Sequence, residues 1–258
     1  MLKFNQGNEQ MSYKQRSKQI IDYLKERKTA SVGELALYLD VSEATIRRDL
    51  TEMQKLGQIE RSHGGAIISE GSDELSIFIR QTKNAKEKMK AVSIALKYLP
   101  DFQTVFIDNS STCLALVEHI NFARKTVVTN GLQIAMRLSH KDGATVIVPG
   151  GEIRGHTTAV MGGMALTALN DIRFDLALVS CSAVDAEGSY ELALDPMLIK
   201  RTAIEKSKKS ILIFDRTKVN EHSPFRTTSL DSYDMIVTDA EDEQLEQLRA
   251  AHACVYNK

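Results

Sequence analysis

SVGELALYLDVSEATIRRDLTEMQKLGQIERSHGGA, residues 31–66, carries the pattern of a helix-turn-helix followed by a short hairpin. Val32 to Leu39 predicts a helix with Ser31 as N-cap and Leu35, Ala36 and Leu39 turned inward. Asp40-Val41-Ser42 makes the turn. A third helix starts after Ser42, whose hydroxyl can cap free backbone N–H groups. Its apolar positions Ile46, Leu50, Met53 and Leu56 step by 4, 3 and 3, one stripe of a helix. Gly57 stands where a left-handed residue closes a helix. Gln58 to Arg61, His63-Gly64-Gly65 and Ala66 to Ile68 then read as strand, tight turn and strand, a wing.

Ser42, Thr45, Arg47 and Arg48 fall on the first turns of the third helix, and Thr45 and Arg48 share a face. A helix that presents such groups at its N-terminal end suits the DNA major groove. Arg47 and Arg48 cannot lie on one line, so one is expected to read a base edge and the other a phosphate. A double Arg alone is more often a solvated face; the three-helix spacing, the cap and the wing make it a DNA reader here. In the wing, Arg61 can reach a phosphate, and the glycines after His63 let the tip, Gly64 included, approach a sugar-phosphate backbone. Asp49 either orients an arginine or serves the fold.

Upstream, residues 1–13 read as a loose tail, and a first helix begins near Lys14 with Ile20, Ile21 and Leu24 on one face. Ser69 to Asp73 is polar and turn-rich. The expected division is a winged helix-turn-helix over 14–68, a linker over 69–75 and a second domain over 76–258. The chain of 258 residues is long enough for both. Its net charge of -1, with eleven Lys/Arg against ten Asp/Glu over residues 1–70, neither excludes DNA nor argues for it. The apolar runs are too short for a membrane span, and the polar start is no secretory signal. Three scattered cysteines without a CxxC fit free thiols in a cytoplasmic protein, and the six dispersed histidines give no metal ligand spacing. No cofactor is called for.

From about Asn84 to Leu99 a helix is expected, with its many lysines outward. Beyond Pro100 come short, β-branched, apolar runs: 104–108, 125–130, 144–151, 174–180, 210–215 and 235–239. Helical stretches lie between them around 112–120, 131–139, 159–170 and 195–207. Strands of that kind alternating with helices predict a mostly parallel sheet covered on both faces, an α/β, Rossmann-like domain. Ligands of such sheets sit beyond the C-terminal strand ends. The polar motifs fall there: Asp108-Asn109-Ser110-Ser111-Thr112, opening a helix that can face phosphate; Thr129-Asn130-Gly131; Arg154 after Pro149-Gly150-Gly151, able to grip an anion; Asp185 and Glu187; Lys200; and Asp215 with Lys218. Each alone reads as a cap or a turn. Their convergence on one sheet edge predicts a ligand pocket.

TIRRDL and RSHGGA, followed in order by ELSIFIR (74–80), the lysine-rich helix, IDNSST, VVTNG, PGGEIR, FDLALVS with VDAEG, and DRTK, resemble the DeoR family of bacterial transcriptional regulators. The resemblance covers about residues 14–256. It implies a sensor domain similar to ribose-5-phosphate isomerase that responds to a phosphorylated sugar or related metabolite. It assigns Asp108 to Thr112 to the family's phosphate loop, which more often reads Asp-Ser-Gly-Ser-Thr; Ser110 stands at the glycine. In SCSAVD (180–185), Ser180 and Ala183 replace the small glycines usual there. Both departures are expected to change chain flexibility and pocket room.

The expectation is therefore a regulator, a repressor of a carbohydrate operon, that binds double-stranded operator DNA as a homodimer or homotetramer. A competing expectation is a sugar-phosphate isomerase carrying a DNA-binding appendage, with Asp185, Glu187 or Asp195 as base and Lys200 or Lys218 stabilising an enediolate. A third is a winged helix used only for protein contacts, which the double Arg and the wing disfavour.

Overall fold

The computed structural model describes residues 11–55, 58–62, 64–67, 77–153, 158–252 and 254–258, in two compact units, Met1–Ser72 and Asp73–Lys258. Helix α1 (Tyr13–Arg27) starts at a reciprocal cap between Ser12 and Gln15 and buries Ile20, Ile21 and Leu24. Strand β1 (Thr29–Ser31) leads into α2 (Val32–Leu39), where Ser31 and Glu34 form a second capping box and Asp40 closes the helix at φ 51°. Helix α3 (Glu43–Lys55) packs through Ile46, Leu50 and Met53, all fully buried. Each contributes about 1.5–3 kcal/mol of apolar burial.

Strands β2 (Glu60–Ser62) and β3 (Gly65–Ile67) form the antiparallel wing. β1 adds to the far side of β3, giving the order β1-β3-β2. That third strand has only the residues TAS, too short for a period-2 signal. The turn uses Gly64 at φ 86°, and a Cβ on Gly65 would stand 2.0 Å from the Ala30 carbonyl oxygen. The second glycine therefore serves the sheet rather than the wing tip. Gly57, His63 and the linker lie outside the described residues.

In the second unit, α4 (Ile77–Thr82) and α5 (Ala85–Tyr98) precede β4 (Thr104–Ile107), α6 (Ser111–Leu116), β5 (Thr126–Thr129), α7 (Leu132–Ser139) and β6 (Thr145–Ile147). A small antiparallel pair follows, β7 (Glu152–Ile153) with β8 (Val160–Met161). Then come α8 (Gly163–Asn170), β9 (Phe174–Val179), β10 (Ala183–Asp185), β11 (Gly188–Glu191), α9 (Leu194–Glu205), β12 (Ser207–Phe214), β13 (Phe225–Thr228), β14 (Met235–Thr238), α10 (Asp242–Ala251) and β15 (Val255–Tyr256). Seven strands make one parallel sheet in the order β15-β14-β12-β9-β4-β5-β6. Val105 and Ile107 of β4 join one core beneath α5 and α6, while Phe106 between them joins the other with Phe174 and α9. Both faces are covered, which is why these strands read as unbroken apolar runs.

Several expectations shift. The run 144–151 yields a parallel strand only over Thr145–Ile147, and the helix expected from 159 begins at Gly163 because Val160–Met161 pair with β7. The stretch after β9 builds a separate antiparallel sheet, β10-β11-β13, that the sequence pattern does not announce. The chain runs from β4 outward through β5 to β6, and from β9 outward through β12, β14 and β15, so direction reverses between β4 and β9. Their C-terminal ends flank the switch-point crevice where open α/β sheets hold ligands.

Candidate functional site

In the N-terminal unit, the Ser42 hydroxyl accepts from the Thr45 N–H at 3.2 Å and lies 2.9 Å from the Thr45 hydroxyl, so both residues build the start of α3. Arg47 and Arg48 are exposed on that helix. Arg47 is held by Glu43 at 2.9 Å, an exposed pair of little energetic weight that a phosphate can displace. Arg61 of β2 reaches the Arg47 carbonyl at 3.4 Å, bringing wing and helix cations together. Asp49 does not orient either arginine of the pair. It is buried and takes Arg16 of α1 in a two-point clasp, Nε to Oδ2 at 2.6 Å and Nη2 to Oδ1 at 3.0 Å. That clasp fixes α3 against α1 and leaves Arg47 and Arg48 on the outer surface.

In the second unit, a cavity of about 490 Å³ opens beyond β4 and β9. Its wall takes Ser110 from the loop after β4, Ser111 and Thr112 from the first turn of α6, Ser180, Cys181 and Ser182 from the loop after β9, and Thr217 and Lys218 from the turn after β12. Arg80 of α4, Lys83 between α4 and α5, Lys88 of α5, and Glu221, His222 and Ser223 also line it. Four cations, one carboxylate and a row of hydroxyls give this lining a charge that suits an anion. Helix α6 is only six residues long, so the positive field comes from side chains rather than from its dipole. Cys181 is no nucleophile here, because burial pushes its thiol far up.

The loop is set from behind. Asp108 is 1% exposed, accepts from the N–H groups of Ser110 and Ser180, each at 3.0 Å, and pairs with Lys200 at 3.0 Å. Burial by itself would raise its carboxyl; Lys200 and these N–H groups outweigh burial and hold it below the usual range. Lys200 also pairs with Glu191 and donates to the Ser180 carbonyl at 2.8 Å. Burial opposes its charge, but the two carboxylates win and push its pKa up.

Of the residues expected to hold a ligand, the structure thus puts Ser110, Ser111, Thr112 and Lys218 on the cavity wall. Asp108 and Lys200 lie beneath it as a buried brace rather than as contacts. Asn109 is buried, and Gly131 lies against it. Thr129 accepts from the Gly131 N–H at 3.1 Å, and the Asn130 carbonyl accepts from Val160 at 2.7 Å, so this trio anchors the β7–β8 arm. Asp185 spends one oxygen on the N–H groups of Glu187 and Gly188 and the Tyr190 hydroxyl, closing the β10–β11 turn; Glu187 is exposed on that turn. Neither lines the cavity. Arg154 lies outside the described residues.

The residues that sequence reasoning missed are Arg80, Lys83 and Lys88. The lysine-rich helix was expected to turn its lysines outward, yet Lys88 is only 6% exposed. Its ammonium donates to the carbonyls of Arg80 and of Lys83, the latter at 2.6 Å. Burial lowers its pKa to about 8, partly offset by Asp215 and reinforced by Lys218, Arg80 and Lys83.

Comparison with known proteins agrees with this layout. Residues 16–71 match the model of a DeoR-like helix-turn-helix domain, and residues 83–240 match the DeoR C terminal sensor domain. The chain is 30% identical to the glycerol-3-phosphate regulon repressor of Escherichia coli (strain K12) over 89% of its own length and 92% of that protein. It is 30% identical to the transcriptional regulator GolR of Listeria innocua, over 87% and 90% of the two chains. It is 27% identical to the transcriptional repressor GlcR of Bacillus subtilis (strain 168), over 85% and 86%. With a helix-turn-helix that presents paired arginines, and a sensor domain whose polar loops meet at a sheet switch point, the chain belongs to the DeoR family of DNA-binding transcriptional regulators.

Proposed function

We propose that the protein represses a carbohydrate-linked regulon and is controlled by a phosphorylated sugar or a related phosphate ester bound in the cavity beyond β4 and β9. The observation that carries this reading is the cavity's charge: Arg80, Lys83, Lys88 and Lys218 line it with a single carboxylate, Glu221, and several hydroxyls. Phosphate is the small-molecule group that suits such a donor set. One relative is named for the regulon of a phosphate ester, glycerol 3-phosphate, which supports the same class. Arg47, Arg48 and Arg61 contact the operator, with Ser42 and Thr45 at the start of the recognition helix. A homodimer or homotetramer pairs two half-sites, and effector binding favours an arrangement whose spacing no longer matches them.

The isomerase reading has less support. Asp185 is committed to its turn, and Lys200 is enclosed by Asp108, Glu191 and Ser180. Lys218 is at the cavity wall, but none of the expected bases Asp185, Glu187 and Asp195 lines it.

The test is operator binding by the full chain, followed by fluorescence anisotropy, with a panel of sugar phosphates, glycerol 3-phosphate and the unphosphorylated parents. One phosphate ester should weaken binding while its parent does nothing. Arg48→Ala should lower operator affinity about 10- to 100-fold, the worth of a base contact, with its melting temperature unchanged. An inert panel would remove phosphate esters as effectors; unchanged affinity in the Arg48 variant would remove α3 as the reader.

A further inference from the structure

Helix α4 is the first described helix after the boundary between the two units at Ser72 and Asp73. Six residues cannot hold a helix on their own in water, so α4 exists through its tertiary ties. Ile77 supplies one, buried at 2% exposure in the core with Ala91 and Leu114. A second is at the far end, where the last carbonyls of any helix lack partners within it. There the Lys88 ammonium takes the carbonyls of Arg80 and Lys83.

Lys88 is also on the cavity wall, next to Ser111, Thr112 and Arg80. Its hydrogen-bond partners are neutral carbonyls, not a carboxylate. A charged phosphate oxygen is a stronger acceptor for an ammonium than a peptide carbonyl, by roughly twofold in bond strength. A ligand that enters the cavity therefore competes for the same ammonium that closes α4.

We propose that Lys88 is the positioning residue through which an anionic effector is read: phosphate draws its ammonium from the Arg80 and Lys83 carbonyls and loosens the end of α4, and operator affinity responds to that change. This rests on the cavity being the effector site. The ligand shifts an equilibrium between two states of α4 because it bonds Lys88 in only one of them. The latch also ties effector binding to proton uptake. The charged groups around Lys88 are Arg80 of α4, Lys83 between α4 and α5, and Asp215 and Lys218 after β12, with Glu221 and His222 also on the cavity wall. With its pKa near 8, Lys88 loses its charge as pH rises from 7.5 to 9, while a phosphate ester such as glycerol 3-phosphate stays dianionic because its second pKa is about 6.

The experiment uses the full chain with inorganic phosphate and glycerol 3-phosphate as probes, and compares wild type, Lys88→Arg and Lys88→Met. Calorimetry gives probe affinity, hydrogen exchange reads the amides of residues 80–86, and operator affinity is measured with each variant saturated. In the wild type, a bound probe should speed exchange over 80–86 and weaken operator binding, and affinity for glycerol 3-phosphate should fall several-fold from pH 7.5 to 9. Lys88→Met should show fast exchange without probe and an operator affinity that no longer responds to it. Lys88→Arg should keep the response and lose the pH dependence, because arginine stays charged. Binding by the wild type with unchanged exchange over 80–86, or a full operator response in Lys88→Met, overturns the latch and leaves the effector site standing. Absence of binding by either probe to the wild type overturns the effector site and the latch with it.

Discussion

Asp108 and Lys200 form an ion pair at 3.0 Å in which the carboxylate side chain is 1% and the lysine 7% exposed. The pair joins the loop after β4 to α9 directly beneath the cavity, and Glu191 of β11 completes it from the antiparallel sheet. Three elements far apart in sequence thus meet at one ammonium. Removing one member of a buried pair leaves the remaining charge without compensation, which costs about 3–5 kcal/mol. Lys200→Met, which leaves two buried carboxylates facing each other, should lower the unfolding free energy by about that amount, read from urea midpoints. A loss below about 1 kcal/mol would mean that water reaches the brace.

Asp49 gives a second test, confined to the N-terminal unit. Its clasp with Arg16 joins α3 to α1, with the carboxylate side chain 4% and the arginine 14% exposed. Asp49→Ala should destabilise that unit by about 3 kcal/mol or more, seen as an early calorimetric transition, while the sensor transition stays in place. Operator affinity below that transition should change far less than in Arg48→Ala. Equal loss of DNA binding at full stability would assign Asp49 to the interface instead.

Asp175 controls a pH response. Its carboxylate takes the Lys208 ammonium at 2.8 Å and the N–H groups of Thr104 and Gln103, both at 3.0 Å, which pins the entry ends of β4, β9 and β12. The Lys208 bond first, then the two N–H groups, hold its pKa down at about 2. A carboxyl lowered on folding contributes stability that is complete above its unfolded value of about 4 and is lost as pH falls towards 2. Asp175→Asn should therefore lower the urea midpoint equally at pH 7 and pH 5, and the gap to wild type should narrow at pH 3. A gap that narrows already between pH 7 and 5 would require a different titrating group.

The winged helix and the parallel sheet were legible because their signals are local. Ile46, Leu50 and Met53 announce a helix face by spacing alone, and the strands around Phe106 announce burial on both sides by unbroken apolarity. What escaped was decided by long-range packing. Lys88 sits in a helix full of exposed lysines, and nothing within residues 84–99 marks it as the one that α4 and the turn after β12 enclose. Asp185 has the composition and position of a ligand contact, yet the β10–β11 turn consumes its hydrogen bonds. Lys200 pointed to the right place in the fold but to the wrong layer, one shell beneath the cavity.

Ser110 is the departure from the family's loop whose consequence is now open to calculation. It sits at φ -71° and ψ 151°, extended backbone that any residue adopts, so the glycine common there is not needed for conformation. Its oxygen caps α6 by accepting from the Cys113 N–H at 3.0 Å, which leaves its O–H as a donor to an anion in the cavity. Exchange of a serine cap for glycine costs only a few tenths of a kcal/mol. Loss of one hydrogen bond to a ligand costs about 0.5–1.5 kcal/mol. Ser110→Gly should therefore leave the melting temperature nearly unchanged and weaken binding of a phosphate ester about 2- to 12-fold, measured by calorimetry, while admitting bulkier esters that the wild type refuses. A fall of several degrees in melting temperature would show that the hydroxyl serves the fold, and unchanged affinity across the esters would place the phosphate away from the loop at 108–112.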